Sequence, residues 1–174
     1  MVISQLHVSG TTKIQLTPMG CTASTTALNF PMGSVNSNAF NLSAKAGFAQ
    51  QTLTLSCEPG TNVTMRIMAT EAEGDNPDHT VIALTPGDNV ATGVGVQLNI
   101  NGAPLSVNNS TYRVFDAVNR TTVTNPGAES SYTIFSNPDN PGGAAASNSF
   151  TFTTNYYKTG SEITPGTANA SGTI

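Results

Sequence analysis

Charge is nearly missing from this sequence: Asp, Glu, Lys and Arg together make up 9% of its 174 residues. An ordinary globular domain carries about a quarter. Helices keep their outer faces soluble with Glu, Lys and Arg, so the shortage argues against a helical protein. It also argues against disorder, which needs high charge and few β-branched residues. The 6 basic residues are widely separated and build no phosphate-tracking surface, so no nucleic-acid partner is expected. No apolar run has the length of a bilayer span, and none is expected. Tryptophan is absent, the only histidines are His7 and His79, and the only cysteines are Cys21 and Cys57. Close Cys/His pairs, a Gly-rich phosphate loop, a G-x-S-x-G elbow and an H-E-x-x-H stretch are all lacking. The expectation is therefore no metal, no cofactor and no enzyme. The start, Met1-Val2-Ile3-Ser4, has no basic region leading into an apolar run, so no signal peptide is expected in it.

The missing charge is replaced by Thr, Ser and Asn, and the dominant pattern is alternation with period 2. Leu53, Leu55 and Cys57 alternate with Thr52, Thr54 and Ser56, and Val63, Met65, Ile67 and Ala69 with Thr64 and Arg66. Val94, Val96, Leu98 and Ile100 alternate with Gly95, Gln97 and Asn99. Phe150, Phe152 and Tyr156 do so with Thr151, Thr153 and Asn155. Shorter candidate strands lie at Ile14–Leu16, Leu28–Phe30, Val81–Leu84, Tyr112–Phe115 and Tyr132–Phe135. Asn101-Gly102 is a tight-hairpin signal, because both residues tolerate positive φ. Many short strands with one apolar face each predict an all-β, two-sheet sandwich. No break in composition divides the chain. Two loops are expected, acidic Glu71–His79 and flexible Asn137–Ser147.

Few side chains carry chemistry. Cys21 and Cys57 are either two buried thiols or a disulfide between neighbouring strands. Their placement on strand patterns, in a chain that otherwise avoids cysteine, favours the disulfide and an oxidising compartment. Glu71, Glu73, Asp75 and Asp78 supply oxygen ligands of the kind calcium takes, but their spacing is not that of a calcium loop, and a solvated acidic turn is expected. His7 and His79 show no partner and are expected at the surface. Triplets such as Asn62-Val63-Thr64 and Asn109-Ser110-Thr111 arise by chance in a chain rich in Asn and Thr. Near the N-terminus Leu6, Val8 and Gly10 share one parity of an extended segment, with Ser4 upstream and Gln5, His7 and Ser9 on the other side. The segment is either the first strand of the sandwich, with a terminus free to fray, or a strand for export to a neighbour.

Four segments, in order, resemble the pilin domain of chaperone–usher fimbrial subunits. The first is Cys21-Thr22-Ala23-Ser24. The second runs from Phe48 to Leu53-Thr54-Leu55-Ser56-Cys57. The third is Gly93-Val94-Gly95-Val96-Gln97-Leu98 with Asn101-Gly102. The fourth is Asn155-Tyr156-Tyr157-Lys158-Thr159-Gly160 with Pro165-Gly166-Thr167-Ala168-Asn169-Ala170. The third and fourth also occur in the pilin domains of tip adhesins.

The resemblance implies an incomplete immunoglobulin-like β-sandwich completed by a donor strand. On this reading residues 1–17 are a donor-strand extension and 18–174 the pilin domain. Ser4, Leu6, Val8 and Gly10 form the subunit–subunit strand, and Cys21 and Cys57 the disulfide. The implied partners are neighbouring fimbrial subunits, a periplasmic chaperone, an outer-membrane usher and, for a receptor-binding subunit, a host receptor. The implied location is a fimbria on the bacterial surface, reached through the periplasm. Two departures from the family pattern stand out. The interval from Gly10 to Cys21 is longer than usual, and the final strand of alternating Phe, Val and Tyr is expected to be truncated at Ser171-Gly172-Thr173-Ile174. The expected function is that of a structural subunit assembled by donor-strand exchange and supporting adhesion. The alternative is a tip or minor subunit that binds a host receptor or glycan, with Ser110–Ser147 as its binding surface. The short stretch before Cys21 leads us to expect no receptor domain there. A free-standing extracellular immunoglobulin-like domain is the third reading.

Overall fold

The computed structural model describes residues 7–15, 21–57, 63–65, 67–100, 102–108, 112–115 and 146–174. The strand expected at Tyr132–Phe135 lies outside them, as does most of Ser110–Ser147.

Strands β1 (His7–Gln15), β2 (Cys21–Ala23), β3 (Ala27–Asn36) and β4 (Lys45–Cys57) open the chain. Then come β5 (Val63–Met65), β6 (Val81–Ile82), β7 (Val94–Ile100) and β8 (Ala103–Pro104). The last are β9 (Tyr112–Phe115), β10 (Ala146–Lys158), β11 (Gly166–Thr167) and β12 (Ala170–Thr173). Among the described residues the only helical pieces are two 3₁₀ turns, Ser37–Asn41 and Pro77–His79. One sheet places β1 between β3 on one edge and β11 and β12 on the other. The second runs β2-β4-β10-β7-β6, with β8 paired to β7, and β5 and β9 form a separate pair.

Alternation explains how the sheets close on one another. Leu28, Phe30 and Met32 of β3 are buried, whereas Asn29 and Pro31 between them are exposed. On β10, Phe150, Phe152, Thr154 and Tyr156 turn inward and Thr151, Thr153 and Asn155 do not. These faces meet in one buried cluster fed by both sheets. Each large apolar side chain in it contributes roughly 1.5–3 kcal/mol. The all-β sandwich expected from the pattern is the fold observed.

β7 departs from its pattern, since all seven residues are buried rather than one face of them. It is an interior strand, and its outer face is roofed over. Gln97 Nε2 donates to Thr80 Oγ1 at 2.9 Å, and Asn99 Nδ2 to Asn155 Oδ1 at 3.0 Å. Leu105, Ser106 and Val107 are buried as well, and the Leu105 amide donates to the Leu98 carbonyl. The side-chain nitrogens of Gln97 and Asn99 are satisfied under this roof, whereas Gln97 Oε1 is buried there without a hydrogen-bond partner. The hairpin expected at Asn101-Gly102 joins β7 to β8: Ile100 pairs with Ala103, and Gly102 has φ +87°. Asn101 lies outside the described residues.

Tyr156 is fully buried, and its hydroxyl donates at 3.4 Å to the Gly33 carbonyl. Burial pushes its phenol from 10.0 up to about 12, because the phenolate loses its hydration. The folded value lies above the unfolded one, so the stability this group adds is complete below pH 10 and is lost as pH rises through about 12. Alkaline titration followed by tyrosine absorbance should show one phenol ionising only with unfolding. Tyr156→Phe should abolish that coupling. Unfolding at an unchanged pH in the variant would contradict the assignment.

Candidate functional site

The segment expected as an extension lies inside the chain's own sheet. β1 runs antiparallel to β3, with Val8 opposite Val35, Gly10 opposite Gly33, Thr12 opposite Phe30 and Ile14 opposite Leu28. On its other side it runs parallel to the C-terminal strands, with Val8 opposite Gly166, Thr12 opposite Ala170 and Ile14 opposite Gly172. Main-chain bonds hold that edge: the Ala168 amide donates to the Ser9 carbonyl at 2.5 Å, and the Ile174 amide to the Gln15 carbonyl at 2.6 Å. The Thr11 amide donates at 2.8 Å to Asn169 Oδ1.

The parity read from the sequence sets which side chains enter the core. Val8, Thr12 and Ile14 are each 0% exposed, whereas Thr11, Lys13 and Gln15 face solvent. Gly10 sits at the tightest point of the groove. A Cβ there would overlap the Ala168 carbonyl and come within 2.7 Å of Asn169 Oδ1. The register against β3 shifts immediately after Gly10, where Met32 is the extra residue, and Gly33 beside it has φ +65°. The strand and its acceptor groove are thus matched by backbone approach as much as by side chains.

Of the residues expected in this strand, Val8 and Gly10 are in the groove, while Ser4 and Leu6 lie outside the described residues. Sequence reasoning ended the strand at Gly10 and missed Thr12 and Ile14. The signal was present, because the even parity of Leu6, Val8 and Gly10 continues without a break to Ile14. Ala168 and Asn169 were noticed only as part of a motif, not as the groove wall.

Cys21 stands directly opposite Cys57 in the β2–β4 pairing. The next pair along in the same register, Ser24 and Thr54, is joined by the Ser24 amide donating to the Thr54 carbonyl at 2.9 Å. Hydrogen-bonded and non-bonded pairs alternate in an antiparallel ladder, so Cys21 and Cys57 occupy a non-bonded pair. There Cα atoms are about 4.5 Å apart, within the span of a disulfide.

The acidic loop is more ordered than expected. Asn76 ties it together: its Nδ2 donates to the Ala72 and Val81 carbonyls, and its Oδ1 accepts from the Val81 amide at 2.8 Å. His79, expected to be without a partner, is paired through Nδ1 with Glu71 Oε2 at 2.7 Å. Asn108 Nδ2 reaches the other oxygen of that carboxylate at 3.4 Å. The partner is eight residues away along a turn that no local pattern reveals. Glu73, Asp75 and Asp78 are exposed.

A family model described as "Fimbrial protein" matches residues 6–174. A solved structure of a Burkholderia pseudomallei antigen and type I fimbria protein is similar at 22% identity, covering 92% of this chain and 88% of that one, with a TM-score of 0.48. No curated protein matches the chain.

Proposed function

Because the chain belongs to the fimbrial protein family and is a fimbrial subunit, a partner of other such subunits in a surface appendage, we propose that it polymerises by giving β1 to the groove of the next subunit. The observation that carries this reading is the position of β1. It is an interior strand whose two edges are both main-chain bonded and whose apolar side chains complete the core. Every copy of the chain has the same groove, so a β1 from a neighbour fits where its own does. Strand addition of this kind takes affinity from main-chain bonds and register from alternate side-chain pockets.

The route is the chaperone–usher pathway. A subunit whose groove is empty exposes the core between β3 and β12, and a periplasmic chaperone would cover it until an outer-membrane usher joins it to the fibre. The opposed cysteines fit passage through an oxidising compartment. The role is structural, in a family that is generally not enzymatic, and the fibre supports adhesion.

Concentrated full-length chain should form linear oligomers of increasing mass by size-exclusion chromatography with light scattering. A chain lacking residues 1–15 should accept a synthetic peptide of residues 2–16, fold around it and stay monomeric. The deletion must run through Gln15, since the strand continues past Gly10. Equal oligomerisation of the truncated chain would overturn the reading.

A further inference from the structure

β3 is ten residues long, pairs with β1 on one side and, among the described residues, has no strand on the other. An edge of that length is a template for an added strand. In a chain that gives a strand away, it would be a second acceptor site.

The two sides of β3 differ in what they offer. β1 turns the main-chain groups of its odd-numbered residues toward the C-terminal strands: the Ser9 and Gln15 carbonyls accept there and the Thr11 amide donates there. Its even-numbered residues therefore bond β3. Leu28 and Phe30, opposite Ile14 and Thr12, turn their amides and carbonyls to it. Ala27, Asn29 and Pro31 consequently turn theirs outward. On that outer side Thr25 Oγ1 takes both groups of Ala27, donating to its carbonyl at 2.9 Å and accepting from its amide at 3.3 Å. Gln51 Nε2 donates to the Asn29 carbonyl at 2.8 Å. Pro31 has no N–H to give, which is why proline is tolerated on an edge. None of the three residues keeps both an amide and a carbonyl for a further strand.

Gln51 is the unexpected member of this set. It stands on β4 at the parity of buried Ala49 and Leu53, opposite Phe152. Alternation calls for an apolar side chain at that position, and the amide there reaches across from the second sheet to β3 instead. The opposite edge of the first sheet is covered by main chain. Met68 and Thr173 exchange both their bonds, and the Thr85 and Ala91 amides donate to the Asn169 and Thr167 carbonyls. Only the β3 edge depends on side chains for its closure.

We propose that Thr25, Pro31 and Gln51 determine the specificity of strand exchange by closing the outer edge of β3. A donated β1 then has one acceptor site per subunit, and the fibre grows without branches. This rests on the polymerisation reading above.

The test uses a fluorescent peptide of residues 2–16 carrying Gly10→Val. A Cβ at Gly10 overlaps the Ala168 carbonyl, so this peptide cannot enter the groove and reports on open edges alone. Its binding to the full-length chain is read by fluorescence anisotropy. The triple variant T25A/P31T/Q51A should bind it about tenfold or more tightly than the wild-type chain does. In the variant, bound peptide should protect the Asn29 amide from hydrogen exchange. If the triple variant fails to fold, Gln51→Met keeps the volume and frees the Asn29 carbonyl, and it should shift binding in the same direction. Equal binding by wild-type and variant chains, or none by either, overturns the inference. Oligomers of the variant should branch in electron micrographs, and unbranched ones overturn it as well. Linear growth of the wild-type chain is a separate readout that does not involve the peptide. A wild-type chain that forms no oligomers overturns the polymerisation reading, whereas linear growth with equal peptide binding overturns this inference alone.

Discussion

Gly10→Val should stop β1 from entering any copy of the groove, so the variant is expected to be strongly destabilised as a monomer and absent from oligomers. The clash is with main chain rather than with a side chain that can swing away. A Cβ at this position meets the Ala168 carbonyl and Asn169 Oδ1. Neither can retreat cheaply, because Ala168 donates to Ser9 and Asn169 accepts from Thr11, one on each side of the glycine. Moving the strand outward would break both bonds and lift Val8 and Thr12 from their pockets. Overpacking costs about 1–3 kcal/mol by itself, and each lost hydrogen bond adds about 1 kcal/mol. A total near 4 kcal/mol is a large share of the stability of any single domain. Gly10→Ala should show the same effect in reduced form. Lys13→Ala, on the exposed side of the same strand, should change stability by less than about 0.5 kcal/mol. Urea unfolding of the three variants, with size-exclusion profiles beside it, measures both consequences. Wild-type stability in Gly10→Val would mean that β1 does not occupy this groove.

The parity of β1 was legible before the structure, and so were the inward faces of β3, β4 and β10 and the β7–β8 hairpin. All of these are written in neighbouring residues, where alternation or a turn dipeptide states the local geometry directly. The companions of β1 were not legible. Val8 pairs with Gly166 and Ile14 with Gly172, partners more than 150 positions away that no local pattern encodes. Double burial of β7 escaped for a related reason. Gln97 and Asn99 look like solvent-facing residues until Thr80 and Asn155 arrive to bond them. The same holds for the acidic loop, whose order comes from the Asn76 side chain reaching the backbone on either side. The bulge after Gly10 left no trace beyond the glycines themselves. What the sequence concealed was therefore pairing between distant segments, and the groove is made of such pairing.

The second large effect is expected at Cys21 and Cys57. Their direct opposition in a non-bonded pair of an antiparallel ladder predicts a disulfide between β2 and β4. Such a bond closes a loop of roughly 36 residues, and the chain-entropy accounting then gives about 4 kcal/mol of stabilisation. The double variant Cys21→Ser/Cys57→Ser should lose about that much, lowering the melting temperature by about 10 °C for a domain of this size. Reducing the wild-type chain should give the same loss. The position of the bond adds a further consequence. β2 has only three residues and lies at the edge of its sheet, at the end of the short connection from β1. β4 has thirteen residues and pairs along nearly its whole length with β10. A strand given to a neighbour is rooted at β2, so load along a fibre would pass from β1 through β2 into β4. Three ladder residues are a weak joint, and a covalent bond at Cys21 makes it a strong one. Hydrogen exchange should therefore show the amides of β2 and its partners Leu55 and Ser56 losing protection on reduction, before those of β7 and β10. Uniform loss across both sheets would place the role of the bond in global stability alone, and intact protection with an unchanged melting temperature would mean that the two cysteines are not joined.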